Sequence, residues 1–201
     1  MSDINTVIFD IGGVIVKPSI SGHEGYFAYL AKISHKNVRR VRFVIDTLTP
    51  RFEKGRMTLA EFTKKVASRL DITREAVRWM GFYKEHISVD TDITDLVEHL
   101  HSEYTTAYLS NIDRPKYLYT KRILASIPFD YQFASCNMGV RKPEIEIFTR
   151  VLSEIGITPR NAVFIDNQLE NVLMARKVGM LAVHFKNRRK LDISLARLLK
   201  E

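Results

Sequence analysis

The stretch Val7-Ile8-Phe9-Asp10-Ile11-Gly12-Gly13-Val14-Ile15-Val16 decides how the rest of the chain is read. An apolar, β-prone run meets an aspartate, and a pair of glycines follows at once. A strand that is apolar on both faces belongs at the centre of a parallel sheet, covered by helices on either side. The carboxyl ends of such strands border the crevice where open α/β sheets bind ligands. Glycine-rich backbone at that point lets amides approach an anion closely. Taken alone, Asp10 reads equally well as a turn residue or a cap. Its meaning depends on whether other strands end in matching chemistry.

They do. Thr105-Thr106-Ala107-Tyr108-Leu109-Ser110-Asn111 is a β-prone run ending in a hydroxyl and an amide. Ala162-Val163-Phe164-Ile165-Asp166-Asn167 ends in a carboxylate and an amide. Between them, Gly139-Val140-Arg141-Lys142-Pro143-Glu144 sets a lysine just before a proline that suits the first turn of a helix. Each group alone has an ordinary structural reading: a helix cap for Ser110, Asn111 and Asp166, and a surface charge for Lys142. All of them at strand ends or helix starts form a far more specific pattern.

From residue 91 onward the pattern alternates between strand and helix, which predicts a parallel sheet. Helices are expected over 93–100, 117–126, 144–155 and 169–178, with strands over 131–135 and 181–185. Residues 17–90 differ. Their apolar residues recur at helical spacing: Val38, Val41, Phe43 and Ile45, then Phe62, Val66 and Leu70, then Val77, Met80 and Tyr83. The expectation is an α/β fold, a Rossmann-like, mostly parallel sheet flanked by helices. Residues 1–16 and 91–201 form its core, and 17–90 form a small inserted helical unit over the carboxyl ends of the strands.

The order Asp10 with Gly12-Gly13, then Ser110-Asn111, then Lys142-Pro143, then Asp166-Asn167 resembles the haloacid dehalogenase-like (HAD) hydrolases along essentially the whole chain. Phe52-Glu53-Lys54-Gly55-Arg56-Met57-Thr58-Leu59-Ala60-Glu61-Phe62 is similar to the cap segment of a phosphatase subgroup that includes sugar-phosphate phosphatases and the amino-terminal domain of soluble epoxide hydrolase. The resemblance implies a phosphoric monoester hydrolase acting on a small phosphorylated metabolite. It makes Asp10 the nucleophile that becomes an aspartyl phosphate, Ser110 and Asn111 phosphate-oxygen donors, and Lys142 the partner of Asp10 and the phosphoryl group. Mg²⁺ would be held by Asp10, the Gly12 carbonyl and the Asp166–Asn167 pair, with Glu170 able to bind through water. Residues 17–90 would be a cap that covers the site.

Two positions depart from the family pattern. Gly12 stands where a second aspartate commonly shuttles the leaving-group proton, so solvent, a cap residue such as His23, or a good leaving group must substitute. Asn167 stands where a second acid is common, and its carbonyl oxygen brings no charge to a hard cation. These departures keep a weakly active or inactive HAD-like binding protein open as the alternative, with dehalogenase chemistry at Asp10 less favoured.

Composition narrows the setting. The chain has 201 residues with a single cysteine, Cys136, which excludes an internal disulfide and fits a reducing compartment. Cys136 is expected at a buried strand position. No apolar stretch is long enough to span a membrane. The amino terminus lacks a signal-peptide pattern, so the expected location is cytoplasmic. The net charge of +8 suits nucleic acid, an acidic surface or a phosphorylated small molecule. The densest basic run, Lys186-Asn187-Arg188-Arg189-Lys190, lacks interleaved aromatics, which disfavours nucleic acid and predicts a solvated loop. Monomer and homodimer are both compatible with these features.

Overall fold

The computed structural model describes residues 4–18 and 22–199, with backbone only at 22 and 23. In chain order the elements are β1 (Thr6–Phe9), β2 (Val16–Pro18), α1 (Gly22–Ser34), α2 (Val38–Glu53), α3 (Leu59–Leu70), α4 (Trp79–Glu85) and β3 (Ile87–Val89). There follow α5 (Thr91–His101), β4 (Thr105–Ser110), α6 (Arg114–Ile123), β5 (Tyr131–Ala134), α7 (Ser135–Met138) and α8 (Ile145–Ile155). The chain closes with β6 (Ala162–Asp166), α9 (Leu169–Val178), β7 (Leu181–His184) and α10 (Arg188–Leu199).

Five strands form one sheet in the order β5-β4-β1-β6-β7, all neighbours parallel. Side chains alternate across the pleat. Val7, Phe9, Tyr108, Val163 and Ile165 therefore pack on one face with α5 and α10, while Ile8, Leu109 and Phe164 pack on the other with α8 and α9. Burial on both faces explains why β1, β4 and β6 read as unbroken apolar runs. β1 lies between β4 and β6, with Phe9 in register with both Tyr108 and Ile165. The residues that follow these three strands are thereby gathered at one edge.

Between β2 and β3 the described residues are mostly helical and have their own buried cluster, including Phe27, Leu30, Val41, Ile45, Leu48, Phe52, Phe62, Val66, Leu70 and Trp79. Val38 and Phe43, expected on the same apolar face, point outward at 39% and 59% exposure. Val44, Leu48 and Phe52 join Val41 and Ile45 instead, completing a stripe spaced by three and four residues. The ends of this stretch are closed by β2 and β3, an antiparallel ribbon pairing Val16 with Val89 and Pro18 with Ile87, and by a Lys17–Asp90 ion pair.

Three local expectations are corrected. The basic run after β7 opens α10 rather than forming a loop: Asn187 accepts from the Lys190 amide at 3.0 Å, and Leu191 and Leu195 are buried one turn apart. Cys136 lies half-buried in the short α7, beyond the end of β5. The helix expected over 117–126 begins earlier, at Arg114, because Asp113 caps it by accepting from the Lys116 amide at 3.1 Å.

Candidate active site

After β1 the chain turns tightly. The Val14, Ile15 and Val16 amides all donate to the Ile11 carbonyl, and the Gly13 amide donates to the Val16 carbonyl at 2.8 Å. Gly13 adopts φ +84°, and a Cβ there would stand 2.2 Å from Asn167 Nδ2. Glycine is therefore required at 13, both for the backbone conformation and for the close approach of Asn167. At Gly12 an added Cβ would meet nothing within 4 Å.

Lys142 is the centre of the arrangement. It is 1% exposed, and its ammonium donates to Asp10 Oδ1 at 2.8 Å, Asp166 Oδ2 at 2.7 Å and the Leu109 carbonyl at 2.8 Å. Three acceptors saturate three N–H bonds. Burial pulls the Lys142 ammonium toward the neutral form, but Asp10 and Asp166 outweigh it and hold the group charged. Burial pushes the Asp10 carboxyl up to about 6; Lys142 opposes that shift and Asp166 reinforces it. Two carboxylates and one ammonium leave a buried net negative charge.

Asn111 fixes where Lys142 begins. Its Nδ2 donates to the Lys142 carbonyl at 2.8 Å, and its Oδ1 accepts from the Lys142 amide at 2.8 Å. This two-point clamp occupies the Asn111 side chain. The Ser110 hydroxyl, by contrast, has no protein hydrogen-bond partner among the described residues and is free to donate to a ligand. Asp166 is also heavily used: Oδ1 accepts from the Gln168 amide at 2.7 Å, and Oδ2 accepts from Asn171 Nδ2 at 3.0 Å as well as from Lys142.

The oxygens suited to a hard cation are therefore those of Asp10, the Gly12 carbonyl and Asn167, with the Asp166 carboxylate behind them. Asn167 Oδ1 is buried without a hydrogen-bond partner, which is costly unless a cation or donor meets it. Among the described residues no group of three His, Cys, Asp or Glu side chains is set to hold a metal. The all-oxygen donor set with few charges fits Mg²⁺, which keeps several waters. Glu170 is exposed in the first turn of α9, and the His23 side chain lies outside the described residues.

A cavity of about 380 Å³ opens from Gly12, Gly13 and Asn167 toward the inserted helices, where Tyr26, Trp79 and Lys116 line it. The segment after α2 ties these helices to the Lys142 loop. Arg141 Nε stands 2.9 Å from Glu53 Oε2, Lys54 Nζ 2.7 Å from Glu144 Oε1, and Arg56 donates to the Gly139 carbonyl at 3.1 Å. Asn171, Lys116 and Asp113 were not singled out from the sequence. The only available signal for Asn171 was a polar residue beside Val172 and Ala175 on the buried face of α9.

Fold and site define a Rossmann-like α/β scaffold with a buried carboxylate–lysine–carboxylate centre at the edge of its sheet. The chain belongs to the haloacid dehalogenase-like hydrolases, whose sequence model matches residues 4–179. It is 33% identical over 97 residues to a sesquiterpene phosphatase of Aspergillus oryzae, covering 47% of this chain and 50% of that one. It is 24% identical over 189 residues to a D-ribitol-5-phosphate phosphatase of Bacteroides thetaiotaomicron, covering 88% and 89%. The chain thus spans half the length of the first relative and most of the second. A HAD family enzyme from B. thetaiotaomicron, solved with magnesium and inorganic phosphate, superposes with a TM-score of 0.77 at 23% identity over 91% of this chain and 94% of that one.

Proposed function

We propose that this hydrolase is a Mg²⁺-dependent phosphatase acting on a small phosphorylated metabolite through an aspartyl phosphate on Asp10. The observation that carries the reading is the Lys142 ammonium held 2.8 Å from Asp10 and 2.7 Å from Asp166 in a buried site. Phosphoryl transfer needs a carboxylate aimed at phosphorus and fixed positive charge beside the equatorial oxygens. The phosphatase names of the relatives and the magnesium and phosphate bound by the structural neighbour support the same reading.

An Asp10 carboxylate oxygen attacks phosphorus, and the bond from phosphorus to the leaving oxygen breaks with its electron pair. That oxygen takes a proton from water, since Gly12 offers no side chain. Water then attacks phosphorus in the acyl phosphate, releasing inorganic phosphate and restoring the Asp10 carboxylate. Lys142 keeps Asp10 ionised and oriented, and Asp166 orients Lys142. Ser110 donates to a phosphoryl oxygen, while Asn111 acts indirectly by clamping the Lys142 backbone. Asp10, the Gly12 carbonyl and the Asp166–Asn167 pair would hold Mg²⁺, which would supply charge against the phosphoryl oxygens when bound. The inserted helices form a cap that shields the acyl phosphate from bulk water, and the single thiol suits a reducing cytoplasm.

The test is a screen of sugar phosphates, nucleotides, flavin mononucleotide and p-nitrophenyl phosphate with Mg²⁺ and with EDTA. Metal-dependent phosphate release that disappears in Asp10→Asn is the expected result. A folded wild-type protein that hydrolyses none of them would instead be a HAD-like binding protein.

A further inference from the structure

The body of the cavity is built from rings most of whose polar atoms are already engaged. Tyr26 donates its hydroxyl to the Val77 carbonyl at 2.7 Å. Trp79 donates Nε1 to Asp113 Oδ2 at 3.0 Å. The Tyr83 hydroxyl pairs with Thr120 Oγ1 at 2.9 Å, and His86 Nδ1 bonds the Phe82 carbonyl at 3.0 Å. Val16, Pro18, Phe27, Ile45, Phe82 and Ile87 complete the wall and carry no polar atoms beyond the backbone. Lys116 brings the one charge at this end. Its ammonium lies 3.6 Å from the centre of the Trp79 ring and 3.7 Å from Asp113 Oδ2, and burial pulls it toward the neutral form against Asp113 and Glu53.

The opposite end is different in kind. Gly12, Gly13, Asn167 and Gln168 bring backbone amides, carbonyls and side-chain amides from the turns that directly follow Asp10 and Asp166. The cavity therefore has one polar end, formed by the turn two residues beyond Asp10, and a mostly apolar, aromatic body leading away from it. A polyol in that body would leave several hydroxyls without partners, at a cost apolar carbon does not incur.

We propose that the substrate is a phosphate monoester of an apolar alcohol, with the phosphoryl group at Asp10 and the hydrocarbon against Tyr26, Phe27, Ile45, Trp79 and Phe82. This rests on the phosphatase reading and names its substrate class. It departs from the polyol phosphate named for the B. thetaiotaomicron relative and agrees in kind with the sesquiterpene named for the A. oryzae relative.

Trp79 is the only tryptophan in the chain, so its fluorescence reports occupancy of the cavity without any turnover. The experiment compares kcat/KM for octyl phosphate, glycerol 3-phosphate, ribitol 5-phosphate and acetyl phosphate with Mg²⁺. Alongside, Trp79 emission is titrated with octylphosphonate, which is not hydrolysed. Octyl phosphate should exceed both polyol phosphates by about 100-fold, the selectivity expected when several methylenes leave water. Octylphosphonate should give a saturable change in Trp79 emission. In Phe82→Asn the ratio of octyl to acetyl phosphate should fall by about tenfold, for the same reason. Hydrolysis of acetyl phosphate with polyol phosphates equal to or better than octyl phosphate would overturn the inference and leave the phosphatase reading standing. Saturable octylphosphonate binding with no phosphate hydrolysed would support the apolar site and overturn the phosphatase reading. Neither binding nor hydrolysis would overturn both.

Discussion

Gly12 and Asp10, two residues apart, carry opposite lessons about what the site tolerates. At Gly12 the backbone is not left-handed and an added Cβ would meet no atom within 4 Å, so a carboxylate fits there without strain. Gly12→Asp should supply the proton that otherwise comes from water. We expect kcat on an alkyl phosphate to rise about 10²-fold, the low end for a positioned acid, and kcat on p-nitrophenyl phosphate to change little. Steady-state kinetics on both esters decide this; no rise on the alkyl ester would mean that departure of the alcohol does not limit turnover. Asp10, in contrast, costs stability. Its carboxyl sits at about 6 in the folded chain, chiefly through burial, against about 4 in an unfolded one. The folded state thus binds this proton more tightly, so stability present in acid is lost as pH rises through about 6. Asp10→Asn removes the titration. In EDTA its Tm should exceed that of the wild type at pH 8, and the gap should close toward pH 4. A variant less stable than wild type at pH 8 would contradict the assigned balance of burial against Lys142. The gathering of these groups was legible in the sequence, because Asp10, Ser110 and Asp166 each end an apolar run and Lys142 stands just before a proline. Their bonding was not. Nothing local reveals that Asn111 spends its amide on the Lys142 backbone, or that Asp166 answers to Lys142, Asn171 and Gln168 at once.

Among the elements, the turn between α2 and α3 explains why the motif from Phe52 to Phe62 has its composition. Gly55 has φ +68°, and a Cβ there would lie 2.3 Å from the Cys136 carbonyl oxygen. Ser135 donates to the Glu53 carbonyl at 2.7 Å, so α7 presses directly on this turn. Gly55→Ala combines left-handed strain with a backbone collision and should cost about 1–3 kcal/mol in urea unfolding. It should also lower kcat/KM, because the same turn positions the 139–144 segment that carries Lys142. Unchanged stability would show that α7 can move away without penalty. The motif was visible as a family-like segment, but its role in joining two parts of the chain was not, since Cys136 and Arg141 lie far away in sequence. The central strands β1, β4 and β6 were legible because burial on both faces leaves an apolar run. The β2–β3 ribbon was not. Val16-Lys17-Pro18 and Ile87-Ser88-Val89 are three residues each, too short for any period, and one contains a proline. The amphipathic stripe of α10 was hidden in the same way, with Leu191 and Leu195 set among charged residues.

The molecule as a whole has buried clusters on both faces of the sheet and a separate one among the inserted helices. What joins the last to the rest is mostly polar: the Arg141–Glu53 and Lys54–Glu144 pairs, the Trp79–Asp113 hydrogen bond and the β2–β3 ribbon. Polar contacts of this kind hold two bodies in place weakly, because water competes for each group. A small cluster of its own also leaves the inserted helices only marginally stable. They should therefore unfold before the sheet. Trp79, the only tryptophan, sits in the helical cluster, so its fluorescence follows that part while far-UV circular dichroism follows the whole. We expect the Trp79 midpoint in urea to fall about 0.5–1 M below the dichroism midpoint, a separation that a single two-state transition does not allow. Adding Mg²⁺ with octylphosphonate should draw the two midpoints together, because a ligand held at the seam stabilises both sides by mass action. Coincident midpoints without ligand would make the helices and sheet one cooperative body, and the cavity between them a fixed chamber rather than one that opens to admit its substrate.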